Sequence, residues 1–151
     1  MEQLINNFSL TLPQQDIYFE QILYPNDAIY NIGAKIEIRG NINVDAFKDA
    51  YIHLINQHDA YRIIIDSNNG IPYFYILDVH DSDLECVDYS NESDAERISL
   101  EFMRNYFQMP FDLNKKVLLH KFILIKVHDD LFYLFSKYHH SKERRRKRAV
   151  R

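Results

Sequence analysis

Two dense β-forming runs, residues 117–127 and 131–138, stand end to end with only His128-Asp129-Asp130 between them. β-branched and aromatic residues in that concentration, interrupted by three polar ones, predict a long hairpin with a tight turn. The periodicity of the remaining chain says what surrounds it. A helix is predicted from Thr11, an N-cap followed by Pro13 in the first turn and Gln14 at the third helical position, with Ile17, Ile22 and Leu23 on its inner face. Residues 29–39 alternate Ile32, Ala34, Ile36 and Ile38 with Gly33, Lys35, Glu37 and Arg39, the period of a half-buried strand. Val44, Phe47, Tyr51, Leu54 and Ile55 recur on one face of a helix running to His58. Residues 61–66 and 72–77 read as strands joined through Ser67-Asn68-Asn69-Gly70, and residues 86–89 as a short strand. Ser93 and Glu96 form a capping box for a helix to Gln108 whose apolar face includes Ile98, Phe102 and Tyr106. Three helices with a mixed β-sheet give an α/β fold, predicted as a two-layer sandwich. The order of elements lacks the regular βαβ alternation of a doubly wound parallel sheet.

Several function classes fall away on composition. The chain has 151 residues, the size of one domain, and 46% of them are hydrophobic, enough for a real core. Its three glycines, Gly33, Gly40 and Gly70, do not supply a Gly-rich phosphate loop. The lone Cys86 excludes an internal disulfide and a cysteine-based zinc cluster. Neither a membrane span nor a signal peptide is legible, so the expected location is the cytoplasm. The net charge of −4 divides unevenly: residues 141–151 carry 7 of the 18 Lys and Arg but 1 of the 22 Asp and Glu. A solvated, disordered basic tail is expected there. Its lack of interleaved aromatics argues against nucleic-acid binding.

The residues with chemical potential are few. The second strand of the hairpin ends in His139-His140, and adjacent strand residues face opposite ways, so one ring enters the core and the other does not. A neutral imidazole accepts a proton from an amine or alcohol near neutral pH. As metal ligands two diverging neighbours are poor, and no metal is expected. His53, His58, His80, His120 and His128 read as surface or edge residues. Arg62, at the end of His58-Asp59-Ala60-Tyr61-Arg62, requires an acidic partner if it is buried and none if it is exposed, which is the default.

Taken together, residues 10–140 resemble the N-terminal lobe of the condensation domains of nonribosomal peptide synthetases. Leu10-Thr11-Leu12-Pro13-Gln14-Gln15-Asp16-Ile17-Tyr18 is similar to their opening motif, with Gln14 in a motif position. Tyr30-Asn31-Ile32 and Ile36-Glu37-Ile38-Arg39-Gly40 resemble the strand that follows. The stretch from His58 to Arg62 is similar to His-Glu-x-Leu-Arg, and Pro110-Phe111-Asp112-Leu113 leads toward a motif His-His-x-x-x-Asp-Gly that begins at His139. The resemblance implies a chloramphenicol acetyltransferase-like fold of two lobes in a V, with the site in a tunnel between them. It implies carrier proteins as partners, whose 4'-phosphopantetheine arms bring the substrates, and amide formation by attack of an acceptor amine on a donor thioester, with no directly bound cofactor. His140 would orient or deprotonate the amine, His139 would support it, and Arg62 would pair with the motif's Asp.

The sequence departs from that motif after His140: its Asp and Gly positions are taken by Arg144 and Arg145. We therefore read residues 1–140 as the N-terminal lobe alone and 141–151 as a tail foreign to the family, the abrupt switch pointing to an interrupted reading frame. The isolated lobe is expected to be inactive, to lack the C-terminal lobe as its partner, and to self-associate through an uncovered apolar face or an unprotected edge of the terminal hairpin. The rival readings are a related CoA- or carrier-dependent acyltransferase fragment, and a non-catalytic binding module in which both histidines are structural.

Overall fold

The computed structural model describes residues 7–81 and 83–142; the basic stretch from Glu143 onward, with the disordered tail expected there and the Arg144 and Arg145 positions, lies outside the described residues. The elements are β1 (Phe8–Ser9), α1 (Leu12–Leu23), β2 (Asn31–Arg39), α2 (Val44–Gln57), β3 (Ile63–Asn68), β4 (Ile71–Ile76), β5 (Glu85–Asp88), α3 (Ala95–Gln108), β6 (His120–His128) and β7 (Leu131–His139). Short 3-10 turns lie at Asp59–Tyr61, Leu113–Lys115 and His140–Lys142.

The strands sort into two sheets. One is antiparallel, in the order β1-β4-β3, and its β3–β4 turn uses Asn69 and Gly70 at φ 50° and 78°. Two consecutive left-handed residues are what a tight type I′ hairpin turn requires, and Asn-Gly adopts them at low cost. The other sheet is mixed, in the order β2-β7-β6-β5, with β5 parallel to β6 and the remaining pairs antiparallel. The terminal hairpin is therefore the centre of its sheet. The β7 side of the hairpin is not the unprotected edge expected, because β2 pairs along the whole of it, from Asn31 opposite His139 to Arg39 opposite Leu131, and on the β6 side β5 covers Ile123 to Lys126.

Strand alternation divides the hairpin's apolar residues between two helices. Ile123, Ile125 and Val127 of β6 and Leu131, Tyr133 and Phe135 of β7 pack with Ala95 and Met103 of α3. Phe122, Leu124 and Phe132 face the other way, against Ile55 of α2 and Leu84. A third cluster joins α1 to the small sheet through Leu10, Tyr18, Ile63, Ile65, Phe74, Phe111, Leu113 and Leu119. Each large apolar side chain fully buried this way contributes roughly 1.5–3 kcal/mol.

Four local expectations are corrected. Leu23 is 73% exposed, because α1 turns Tyr18 and Gln21 inward instead, with Ile22 only packed at the margin. The apolar face of β2 is poorly covered, with Ile32 39% and Ile36 52% exposed, since β2 is the outermost strand of its sheet. The helix α3 is N-capped by Asp94, whose carboxylate pairs with Arg97 at 2.6 Å, so no Ser93–Glu96 capping box opens it. His80 and His120 are buried at 7% and 6% exposure, inside an aromatic cluster with Tyr51, Tyr61 and Phe122. No helix among the described residues is long and apolar enough to cross a membrane.

Candidate active site

β7 ends by delivering the two histidines into different surroundings. His139 is the last residue of the strand and has no exposed surface, whereas His140 starts the 3-10 turn and is exposed. Backbone bonds fix the junction on both sides: His139 N–H donates to Leu119 O (3.0 Å) and His140 N–H to Tyr30 O (2.9 Å). The two rings part here because strand alternation sends neighbouring side chains to opposite faces.

The buried ring of His139 is held on both nitrogens. Nδ1 lies 2.6 Å from Ser141 Oγ and Nε2 lies 3.2 Å from Gln21 Oε1. Phe111 meets the ring edge-on with centroids 5.9 Å apart, and Tyr30 lies at 6.0 Å. Burial, and then the neighbouring His140, push its pKa from the ordinary 6.5 down to about 4. His139 is thus a neutral structural ring at physiological pH. The Ser141–His139 contact has the length of a nucleophile–base pair, but both side chains are buried, so neither presents an atom to a substrate.

Gln14 connects this junction to the start of the fold. Its Oε1 accepts from the backbone N–H and the hydroxyl of Thr11, both at 2.9 Å, which is the glutamine half of the predicted capping box. Its Nε2 donates to Ser141 O at 2.9 Å, tying α1 to the turn that carries His140.

Arg62 and His58 flank the 3-10 turn whose Tyr61 packs against Tyr138, next to His139, with centroids 6.4 Å apart. Arg62 is buried, against the default expectation of exposure, and its charge is met locally: Nη2 pairs with Asp59 Oδ1 at 2.7 Å. Its Nη1 donates to Leu77 O and, at 2.6 Å, to Asp78 O. The implied partner position, Arg144, lies outside the described residues. His58 caps the C-terminal end of α2, is exposed, and packs edge-on against Tyr61 with centroids 6.3 Å apart.

Sequence reasoning missed four polar residues near the histidines: Gln21, Asn31, Lys137 and Ser141. Lys137 is 3% exposed and donates to Tyr106 O (3.1 Å) and Met109 O (2.7 Å), with its ammonium 4.9 and 4.6 Å from the ring centres of Tyr106 and Phe111. Asn31 Nδ2 donates to Phe107 O (2.7 Å) and Met109 O (2.9 Å). Together they satisfy the Phe107 and Met109 carbonyls at the end of α3 and add a second donor to Tyr106 O, which also accepts from the Met109 N–H at 3.3 Å. Burial pulls the Lys137 pKa down to about 8. Asn31 and Lys137 occupy the same face of the sheet as His139, at alternate positions of a register that pairs Asn31 with His139. That phase was the one available signal for Lys137, a charged residue in step with Tyr133 and Phe135.

An open groove of about 500 Å³ runs from Tyr51, His80 and His120 to Phe111 and Lys137. Phe111 is shared between the groove and the His139 packing. Among the described residues no three His, Cys, Asp or Glu side chains gather into a metal-binding group.

Comparison with known proteins places these features in context. A family model described as "Condensation domain" matches residues 5–141. A dimodular nonribosomal peptide synthase of Bacillus subtilis (strain 168) is 32% identical over 133 residues, which is 88% of this chain and 6% of that protein. The phosphinothricin tripeptide synthetase of Streptomyces viridochromogenes is 28% identical over 134 residues, covering 87% and 12%. The solved starter condensation domain of rhizomide synthetase superposes with a TM-score of 0.83 at 25% identity, covering 90% of this chain and 34% of that one. A structure of that domain in complex with C8-CoA gives 0.82 at 25% identity, covering 90% and 31%. The described chain therefore spans about a third of the solved condensation domains it matches.

Proposed function

This chain belongs to the condensation-domain family, and from that premise we propose that it forms the N-terminal, histidine-bearing lobe of an amide-forming domain in a nonribosomal peptide synthetase. The fold is the chloramphenicol acetyltransferase-like α/β lobe of that family. The partners are a C-terminal lobe and two carrier proteins, which bring an acyl or peptidyl thioester and an aminoacyl acceptor on phosphopantetheine arms. The acceptor nitrogen attacks the thioester carbon, a C–N bond forms, the C–S bond breaks, and the proton lost by the amine passes to the departing thiolate.

His140 is the group we assign to that proton and to the orientation of the amine. The observation that carries the assignment is the split between the two rings: His139 has no exposed surface and both nitrogens engaged, while His140 is exposed where β7 ends. His139 supports it from behind, Gln14 ties down the same turn, and Arg62 with His58 stabilises the α2–β3 junction. Residues 141–151 form a basic segment that departs from the family motif at Arg144 and Arg145, and its first residue, Ser141, is built into the site.

The test is complementation. The chain is mixed with the C-terminal remainder of a related condensation domain and with two loaded carrier proteins, and amide product is quantified. We expect product with the unaltered chain and a loss on the order of 100-fold or more with His140→Ala, the range of a positioned acid–base group. Product formed equally by both, or by neither, overturns the catalytic assignment in favour of a binding module.

A further inference from the structure

Each nitrogen of the His139 ring meets a group whose own hydrogen-bonding role is fixed elsewhere. Gln21 is 2% exposed, and its Nε2 donates to Tyr24 O at 3.1 Å and Asp27 O at 3.0 Å. Those two bonds use both of its N–H groups and turn Oε1 toward His139 Nε2, 3.2 Å away. An amide oxygen only accepts, so Nε2 must carry the hydrogen. On the other side, the Ser141 backbone N–H points at Nδ1 at 3.3 Å, and a backbone N–H only donates. Nδ1 must therefore offer its lone pair, and the Ser141 hydroxyl donates to it as well. The two sides, one from α1 and one from the turn, independently require the same neutral ring.

We propose that Gln21 is a positioning residue: it holds His139 as the neutral Nε2–H tautomer and, through the His139–Ser141 bonds, fixes the turn on which His140 rides. Gln14 and Gln21 lie two helical turns apart on one face of α1. Gln14 grips the same turn at Ser141 O, so α1 holds it at two points. A neutral His139 also keeps positive charge away from His140, the ring assigned to accept a proton. The groups around the ring are Tyr30, Phe111, Gln21, Ser141 and His140, with Lys137 two positions back on the same strand face; among the described residues no carboxylate bonds to it. The bearing on catalysis rests on the assignment of His140; the tautomer does not.

The experiment is ¹⁵N NMR of the imidazole rings in the full chain, with His139 identified by its loss in His139→Gln. Two-bond ¹H–¹⁵N correlations should show the neutral Nε2–H tautomer with no titration between about pH 5.5 and 8, the range in which an ordinary histidine changes charge. Gln21→Glu should raise the His139 midpoint by about one to three pH units, as a carboxylate beside the ring favours its cation. An Nδ1–H tautomer or a midpoint above about 5.5 in the unaltered chain overturns the proposal, and so does a folded Gln21→Glu with an unchanged midpoint. The wild-type spectrum decides even if a variant fails to fold. None of these spectra uses amide-forming activity, so a failed complementation would sink the functional assignment and leave this one standing.

Discussion

At the scale of single residues, His139 converts burial into pH dependence. Its native pKa of about 4 lies below the ordinary 6.5, so between those values the unfolded chain binds a proton that the native one refuses. The stability it contributes is complete above about pH 6.5 and is lost as pH falls through 4, amounting to roughly 3 kcal/mol. Urea midpoints at pH 7 and 4.5, compared between the unaltered chain and His139→Gln, isolate this contribution from the carboxylates; an equal acid slope in both would contradict it. The His139-His140 pair was legible because adjacency on a strand separates two rings. Gln21 was not, because a bond to a residue 118 positions away leaves no periodic trace. His120 was misjudged for want of phase: it is two residues before Phe122 and four before Leu124 on a strand whose alternate residues are core. Arg62 was misjudged because its partner Asp59 lies in a 3-10 turn that strand and helix periods do not describe.

Between elements, the tightest approach is that of α3 to the β2–β7 pair. A Cβ on Gly33 would lie 2.9 Å from two ring atoms of Phe107 and 3.0 Å from Ser136 O, and real Cβ atoms do not sit that close. Gly33 is therefore required by packing and not by a special backbone angle. Gly33→Ala should push α3 outward and destabilise the fold by about 1–3 kcal/mol, the usual cost of overpacking. Equilibrium urea unfolding measures it, and a variant as stable as the parent would show that α3 yields freely. The helices and the longer strands were legible, from α1 with its Thr11 and Gln14 start to the turn that joins β6 and β7, where His128, read as part of the turn, closes β6; β1 was not. Their assembly was not. Placing β7 at the centre of its sheet depends on pairing with β2 a hundred residues earlier, and the same β-rich patterns would suit one mixed sheet as well as the two that form.

For the whole molecule, the apolar face of β2 is the surface on which a prediction of solution behaviour rests. Ile32 and Ile36 pair in register with Tyr138 and Leu134 and continue the core face of the sheet, yet they are 39% and 52% exposed. The sheet's core face thus runs out to its margin and stops uncovered on a nine-residue outermost strand. An apolar strand at an open sheet edge is a template for another copy. An uncovered apolar face is expected of a lone lobe, but the alternation in residues 29–39 reads as a strand with its isoleucine face buried, and the structure corrects that. What the sequence did not reveal is which strand would be left at the margin. We expect the chain to self-associate with increasing concentration, and Ile36→Lys to restore a monomer, since a charge there blunts the edge. Because Ile36 is half exposed, that change should alter stability by no more than about 0.5 kcal/mol. Sedimentation velocity across a concentration series distinguishes the two chains. A monomeric parent, or an Ile36→Lys variant that associates equally, would mean that the β2 margin is not the contact.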